Sequence, residues 1–185
     1  MVRIALEEGR IDAVGASAGD LGVLKNSGVD IRSIIPEDQK EQLSSVPSGA
    51  LLATEEVSDD LKMLIGVGRA SAKGFLIAYT NPEATLCIMA ERIPEEFIDP
   101  EVGRASFEGA LEFTTAPQND DGTYEFSAGN DDVQMWNDYV ELYANGGILE
   151  EAFDMEPYII DINDEINDFD QAEVVEYAEG LDSDC

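Results

Sequence analysis

The residues most able to do chemistry in this chain lie in a small loop near its start. Gly15-x-Ser17-x-Gly19 matches the nucleophile elbow, in which a serine on a tight turn between a strand and a helix attacks an acyl carbon. Its flanks fit that pattern, since Ile11–Val14 is a short apolar run of the kind that forms a buried strand and Leu21–Asn26 reads as a helix. A serine hydroxyl becomes a nucleophile only when a base takes its proton, and the triad needs a histidine downstream of the serine. The chain contains no histidine, and the hydrolase reading falls. What survives is geometric. A small-residue loop at the C-terminal end of a strand, opening a helix, turns backbone N–H groups toward a crevice and can hold a small ligand, an anion especially, without acting on it. Asp20 fits either a cap on the following helix or a ligand for a cationic group, and the plain cap is the simpler role.

The other chemistry-bearing side chains say less. Carboxylates are so abundant that pairs such as Glu55-Glu56 and Asp131-Asp132 read as solvated faces or helix-start charges. Asp161–Asp170 (DINDEINDFD) has the composition of a calcium loop but lacks the central glycine and the terminal glutamate at the required spacing, so no metal ligand is assigned. Trp136 and its neighbouring tyrosines read as core. Cys87 and Cys185 are too few for a disulfide framework and match no metal spacing. Cys87, in an apolar helical stretch, reads as a buried thiol, and the number of cysteines leaves the compartment open.

The elements that must position these residues follow from periodicity and from capping chemistry. Ile4–Glu8 reads as the end of a helix closed by Gly9, and Leu21–Asn26 as a helix closed by Ser27-Gly28. With strands at Ile11–Val14 and Val29–Ile35, the opening stretch alternates helix and strand, the signature of a parallel α/β sheet. Gly49–Thr54 is a third strand candidate. Ser58-Asp59-Asp60 then caps a long helix whose Leu61, Leu64, Ile65, Gly68, Ala72, Phe75, Leu76 and Tyr79 share one face. Asn81-Pro82-Glu83 and Asp99-Pro100-Glu101 repeat one helix-start device, a cap followed by proline and an acid. Asn119-Asp120-Asp121-Gly122 reads as a turn, and Val133, Trp136, Val140 and Tyr143 line a helix ended by Gly146-Gly147. The final stretch reads as short helical pieces with an acidic tail, and no internal repeat is present.

Composition bounds the partners. The 185 residues are 44% hydrophobic, enough for a real core, so disorder is not the default despite the charge. Forty-one acids against ten bases give a formal net charge of -31. Such a field repels phosphate backbones, so nucleic acid and anionic membranes are poor partners. The acidity has two readings, a solvated surface of an ordinary kind or adaptation to high salt, where self-repulsion is screened. The longest apolar run, Leu61–Tyr79, is interrupted by Lys62, Arg69 and Lys73 and is not a membrane span. Val2–Ala5 is too short for the apolar core of a signal peptide.

The order of these pieces resembles a known family. Ala5-Leu6-x-x-Gly9-x-Ile11-Asp12-Ala13 is similar to the helix–strand signature of type II periplasmic solute-binding proteins. Gly49–Thr54 with the long helix after it resembles the return strand and helix of the branch that binds sulfonates, taurine, nitrate and thiamine precursors. Asn81-Pro82-Glu83-Ala84 is similar to a helix start of that branch, and Trp136 with Gly146-Gly147-Ile148-Leu149 resembles its closing tryptophan helix and turn. The resemblance runs from Ile4 to about Tyr158 and implies an α/β fold, part of a type II periplasmic binding protein. Residues 1–47 would be the end of lobe 2, 48–160 the return to lobe 1 through a hinge strand and helices, and 161–185 an acidic C-terminal segment. It further implies that the rest of both lobes, and a signal peptide, precede Met1.

The function implied is that of a periplasmic or extracellular solute-binding subunit of an ABC importer, possessing no enzymatic activity and needing no cofactor or metal. Its partners would be a small organic solute, the permease and the ATPase subunit, with the protein itself a monomer and not inserted in the membrane. Gly15, Ser17 and Asp20 are the ligand contacts that the family's cleft geometry implies. Two other functions compete with this one. One is a fold-related enzyme that makes the thiamine pyrimidine, whose chemistry depends on histidine; the other is a free-standing acidic interaction protein.

Overall fold

The computed structural model describes residues 2–32, 34, 36, 50–113 and 132–184, and every regular element among them is helical. In chain order these are α1 (Val2–Glu7), α2 (Ala18–Asn26), α3 (Leu61–Thr80), α4 (Pro82–Arg92), α5 (Pro100–Phe113), α6 (Val133–Asn145), α7 (Asn163–Asn167) and α8 (Gln171–Glu179), with short 3-10 turns at Pro94–Phe97 and Glu156–Tyr158. The chain forms two compact units from interleaved stretches: residues 1–32, 73–126 and 170–185 in the first, and 33–72 and 127–169 in the second.

The helix starts follow from local chemistry, because the first N–H groups of a helix lack intrahelical acceptors and a side chain must supply one. The Asn81 side chain accepts from the Ala84 N–H at 3.1 Å, with Pro82 occupying the first helical position of α4. Asp99 Oδ1 accepts from the Glu101 N–H at 3.1 Å at the start of α5, and Asp60 Oδ1 from the Met63 N–H, also at 3.1 Å, at the start of α3. Asp132 caps α6 and Asp170 caps α8 in the same way. Two of the expected stops are equally local. Gly9 at φ 64° and Gly147 at φ 71° turn the chain through the left-handed region that a side chain disfavours.

In the first unit the main packing is α2 against α5. A Cβ on Gly22 would sit 2.9 Å from Gly109 Cα and closer still to the Ala105 carbonyl oxygen, so the two backbones touch with no room for a methyl group. Phe97 lies against Gly103 in the same way, where an added Cβ would be 2.6 Å from its ring. Leu24, Leu76, Ala78, Ala84, Leu86, Ala105, Val174 and Ala178 are the buried apolar residues described in this unit.

In the second unit Ile166 of α7 packs on Gly68 of α3, its Cγ2 2.6 Å from where a Cβ would stand. The Arg69 guanidinium donates to the Glu165 carbonyl, Nε at 3.2 Å, and so covers an acceptor near the end of α7. Asn137 of α6 binds the segment ahead of the second 3-10 turn, accepting from the Met155 N–H at 2.8 Å and donating to Asp154 at 3.3 Å. The face predicted for α3 is realised at Gly68, Ala72 and Leu76, all buried, but Leu61 and Phe75 are about half exposed. Among the described residues no helix is long and apolar enough to cross a membrane.

The expected strands are not present among the described residues. Ile11–Val14 and residues 29–32 carry no strand, and neither do residues 50–54, where Leu51 is 70% and Leu52 93% exposed. Gly49, Ser33 and Ile35 lie outside the described residues. A short apolar run is ambiguous on its own, because a strand exists only when a neighbouring strand satisfies its backbone groups. Among the described residues no such partner strand is present, and the description there is helical. The Asn119–Gly122 turn also lies outside the described residues.

Candidate functional site

Gly15 and Ser17 lie in the loop ahead of α2, whereas Asp20, read from the sequence as part of that loop, lies in the first turn of the helix, which begins at Ala18 rather than Leu21. The loop is shaped by a capping box. Ser17 has extended backbone angles (φ -70°, ψ 166°) and is the N-cap, and its Oγ accepts from the Asp20 N–H at 3.2 Å. Asp20 answers through Oδ2, which accepts from the Ser17 N–H at 3.2 Å and from the Ser17 hydroxyl at 2.7 Å. Ser17 followed three residues later by an acid is the sequence form of this device. Asp20 thus takes the capping role, as the partner of the N-cap rather than as the N-cap itself.

This geometry limits what the loop can do chemically. The Ser17 hydroxyl and N–H hold the Asp20 carboxyl below its ordinary value of 3.8, because they stabilise its ionised form. Gly15 is exposed, and a Cβ there would meet nothing within 4 Å. Gly19, by contrast, is pressed against Ser106 of α5, with 2.7 Å from an added Cβ to Oγ. One glycine of the motif therefore faces open space, while the other is a packing residue.

A second concave surface, with no clear sequence signal, belongs to the first unit. An open cleft of about 620 Å³ is lined by Cys87, Ile88, Ala90 and Glu91 of α4 and by Leu181, Asp182 and Asp184 of the C-terminal segment. Asn81 joins those two pieces. Its Nδ2 donates to the Ala178 carbonyl at 2.9 Å, and its Oδ1 accepts from the Ser183 hydroxyl at 3.3 Å. Cys87 is neither deeply buried nor a thiol: it is half-buried and disulfide-bonded, with its Sγ 3.7 Å from the Ser183 carbonyl oxygen. Two cysteines so far apart carry no disulfide signal in the sequence. Elsewhere in this unit Arg104 donates to both carboxylate oxygens of Glu83, at 2.6 and 2.8 Å, and holds that carboxyl below its usual range.

The acidic stretch Asp161–Asp170 folds into α7 and its flanks, and Asn163, Asp164, Glu165, Asn167 and Asp168 line a shallow depression. Among the described residues, no three acidic or cysteine side chains converge as a metal would require. Searches for related proteins found no family model, no curated protein and no solved structure that matches this chain.

Proposed function

We propose that this chain is part of a non-enzymatic, extracytoplasmic solute-binding protein of an ABC importer, with the loop from Gly15 to Asp20 at the ligand. The ligand class is a small organic solute such as a sulfonate, taurine or a thiamine precursor, or the nitrate ion. In this reading two lobes close on the solute before docking on the permease. The observation that carries the reading is the loop itself: an exposed small-residue turn at a helix start, polar but without a base. Such a loop is suited to holding a small ligand. The disulfide at Cys87 supports an oxidising compartment, the periplasm or the exterior.

Titration calorimetry against taurine, an alkylsulfonate, nitrate and a thiamine pyrimidine precursor tests this. One of them should bind, and Gly15→Trp should weaken that binding tenfold or more (about 1.4 kcal/mol) while leaving the melt unchanged, because the position touches nothing. Binding by none of the four, or undiminished binding by Gly15→Trp, would remove the loop from any such role. A second reading, an acidic interaction protein that stands alone, is favoured by one observation: every regular element described is a helix. A sharp, cooperative melt of the 185-residue chain at high temperature would support it over a lobe with an open sheet edge.

A further inference from the structure

We infer that the segment from Ile148 to Tyr158, in the second unit, is a docking surface for an arginine-rich segment of another protein. Its large apolar side chains face solvent: Ile148 is 68%, Tyr158 71% and Phe153 48% exposed. A single exposed apolar side chain is ordinary on any protein. Here two aromatic rings meet at the surface, edge to face at 79° with centroids 6.0 Å apart. At that exposure the pair leaves ring surface open to an incoming group. Glu150, Glu151 and Glu156, in the same segment, are exposed as well. The surface thus offers aromatic faces and carboxylates side by side.

The segment is fixed in place before any partner arrives. The Ile148 and Leu149 N–H groups donate to the Tyr143 carbonyl at 2.9 and 3.2 Å, and Asn137 accepts from the Met155 N–H at 2.8 Å. Tyr158 ends a 3-10 turn, Glu156–Tyr158, so little ordering remains to be done on binding. Charge decides the partner. All ten Lys and Arg residues of the chain lie at or before Arg104, so the sequence beyond it holds acids and no base. A second copy would bring the same acidic segment and a net charge of -31, and a phosphate backbone would be repelled likewise. A guanidinium suits both halves of the surface, because it stacks on an aromatic face and forks onto a carboxylate. An ammonium pairs with the carboxylates too, but it is a strongly hydrated point charge and stacks less well. The surface is independent of the solute-binding reading, and its test uses no solute.

Fluorescence anisotropy of labelled nona-arginine and nona-lysine with the full chain reads the outcome, at about 0.15 M salt so that distant charges are screened. Nona-arginine should bind about tenfold more tightly than nona-lysine, although the two carry equal charge. Tyr158→Ala should bring the two affinities together, whereas Tyr158→Phe, which keeps the ring, should hold them apart. Both variants should melt with the parent chain, because the side chain is mostly in solvent. The double variant Glu150→Gln/Glu151→Gln should weaken both peptides. Equal affinity for the two peptides would show attraction by net charge alone and overturn the proposal. So would a preference for arginine that survives Tyr158→Ala, or binding of neither peptide.

Discussion

The two units hold themselves together by different means. In the first, helices meet through missing side chains: Gly22 lets α2 lie on the backbone of α5 at Ala105 and Gly109, and Gly103 makes room for the Phe97 ring. In the second, a single branched side chain, Ile166, fills the space over Gly68, and polar side chains do the joining: Arg69 to the Glu165 carbonyl, Asn137 to the Met155 N–H. Backbone contact is rigid, because neither partner can rotate away. Contact through a side chain can relax, because a rotamer change or a small shift absorbs part of a misfit. The difference predicts how each unit responds to damage.

The sharpest break should come at the α2–α5 crossing. Gly22→Val places branched carbon against a carbonyl and a Cα that cannot move, and should cost about 4 kcal/mol or prevent folding outright. Urea unfolding checks it, and a loss below about 1 kcal/mol would mean that the backbones are not in contact. In the second unit Ile166→Ala should cost about 3 kcal/mol through the void it leaves. Adding Gly68→Ala to that variant should recover part of the loss, because the new methyl enters the vacated space. Additive losses in that double-mutant cycle would show that the two residues do not meet. Ser17→Ala should cost about 1 kcal/mol by removing the cap of α2, measured by the same unfolding curves.

The smallest effects belong to exposed charges. Glu83 and Asp20 both have lowered folded-state values, the first through hydrogen bonds from Arg104, the second through those from Ser17. Each therefore contributes stability that is fully present above its ordinary value, 4.5 for Glu83 and 3.8 for Asp20, and is lost as pH falls through its lower folded value. Acid titration of the melting temperature should show a small decline below those values. Arg104→Gln should reduce the Glu83 part of it, and salt should weaken that part too, since the pair is exposed. A decline of the same size in the variant would assign the acid sensitivity to other carboxylates.

How far the sequence predicts these features depends on how local each one is. Asn81-Pro82-Glu83 and Asp99-Pro100-Glu101 mark their helix starts because a cap and the N–H group it serves lie two or three residues apart. A loop opening a helix was legible, but its helix was read from Leu21 whereas α2 begins at Ala18, although the capping box between Ser17 and Asp20 is written in the spacing of those two residues. Gly22 and Gly66 are the same residue in the same kind of element, yet one is pressed against a neighbouring helix and the other has nothing within 4 Å. Nothing within a few residues of either distinguishes them. The apolar runs at Ile11–Val14 and Leu51-Leu52 had the composition of strands, but a strand is a property of two segments and the runs describe only one. The same limit made Cys87 look like a core thiol, because its bond depends on a cysteine elsewhere in the chain.

The sequence by itself determined the helix starts at Asn81 and Asp99, the Ser17–Asp20 spacing of a helix cap, the lack of any histidine base and the strongly acidic charge. All of these rest on composition or on interactions that close within about one helical turn. Only the tertiary structure decided which glycines are contact points, which side of α3 stays exposed, and that the C-terminal segment lies over α4 beside a disulfide. Those outcomes depend on which distant surfaces meet, and that is set by the mutual fit of many side chains and backbones rather than by any short stretch of chain.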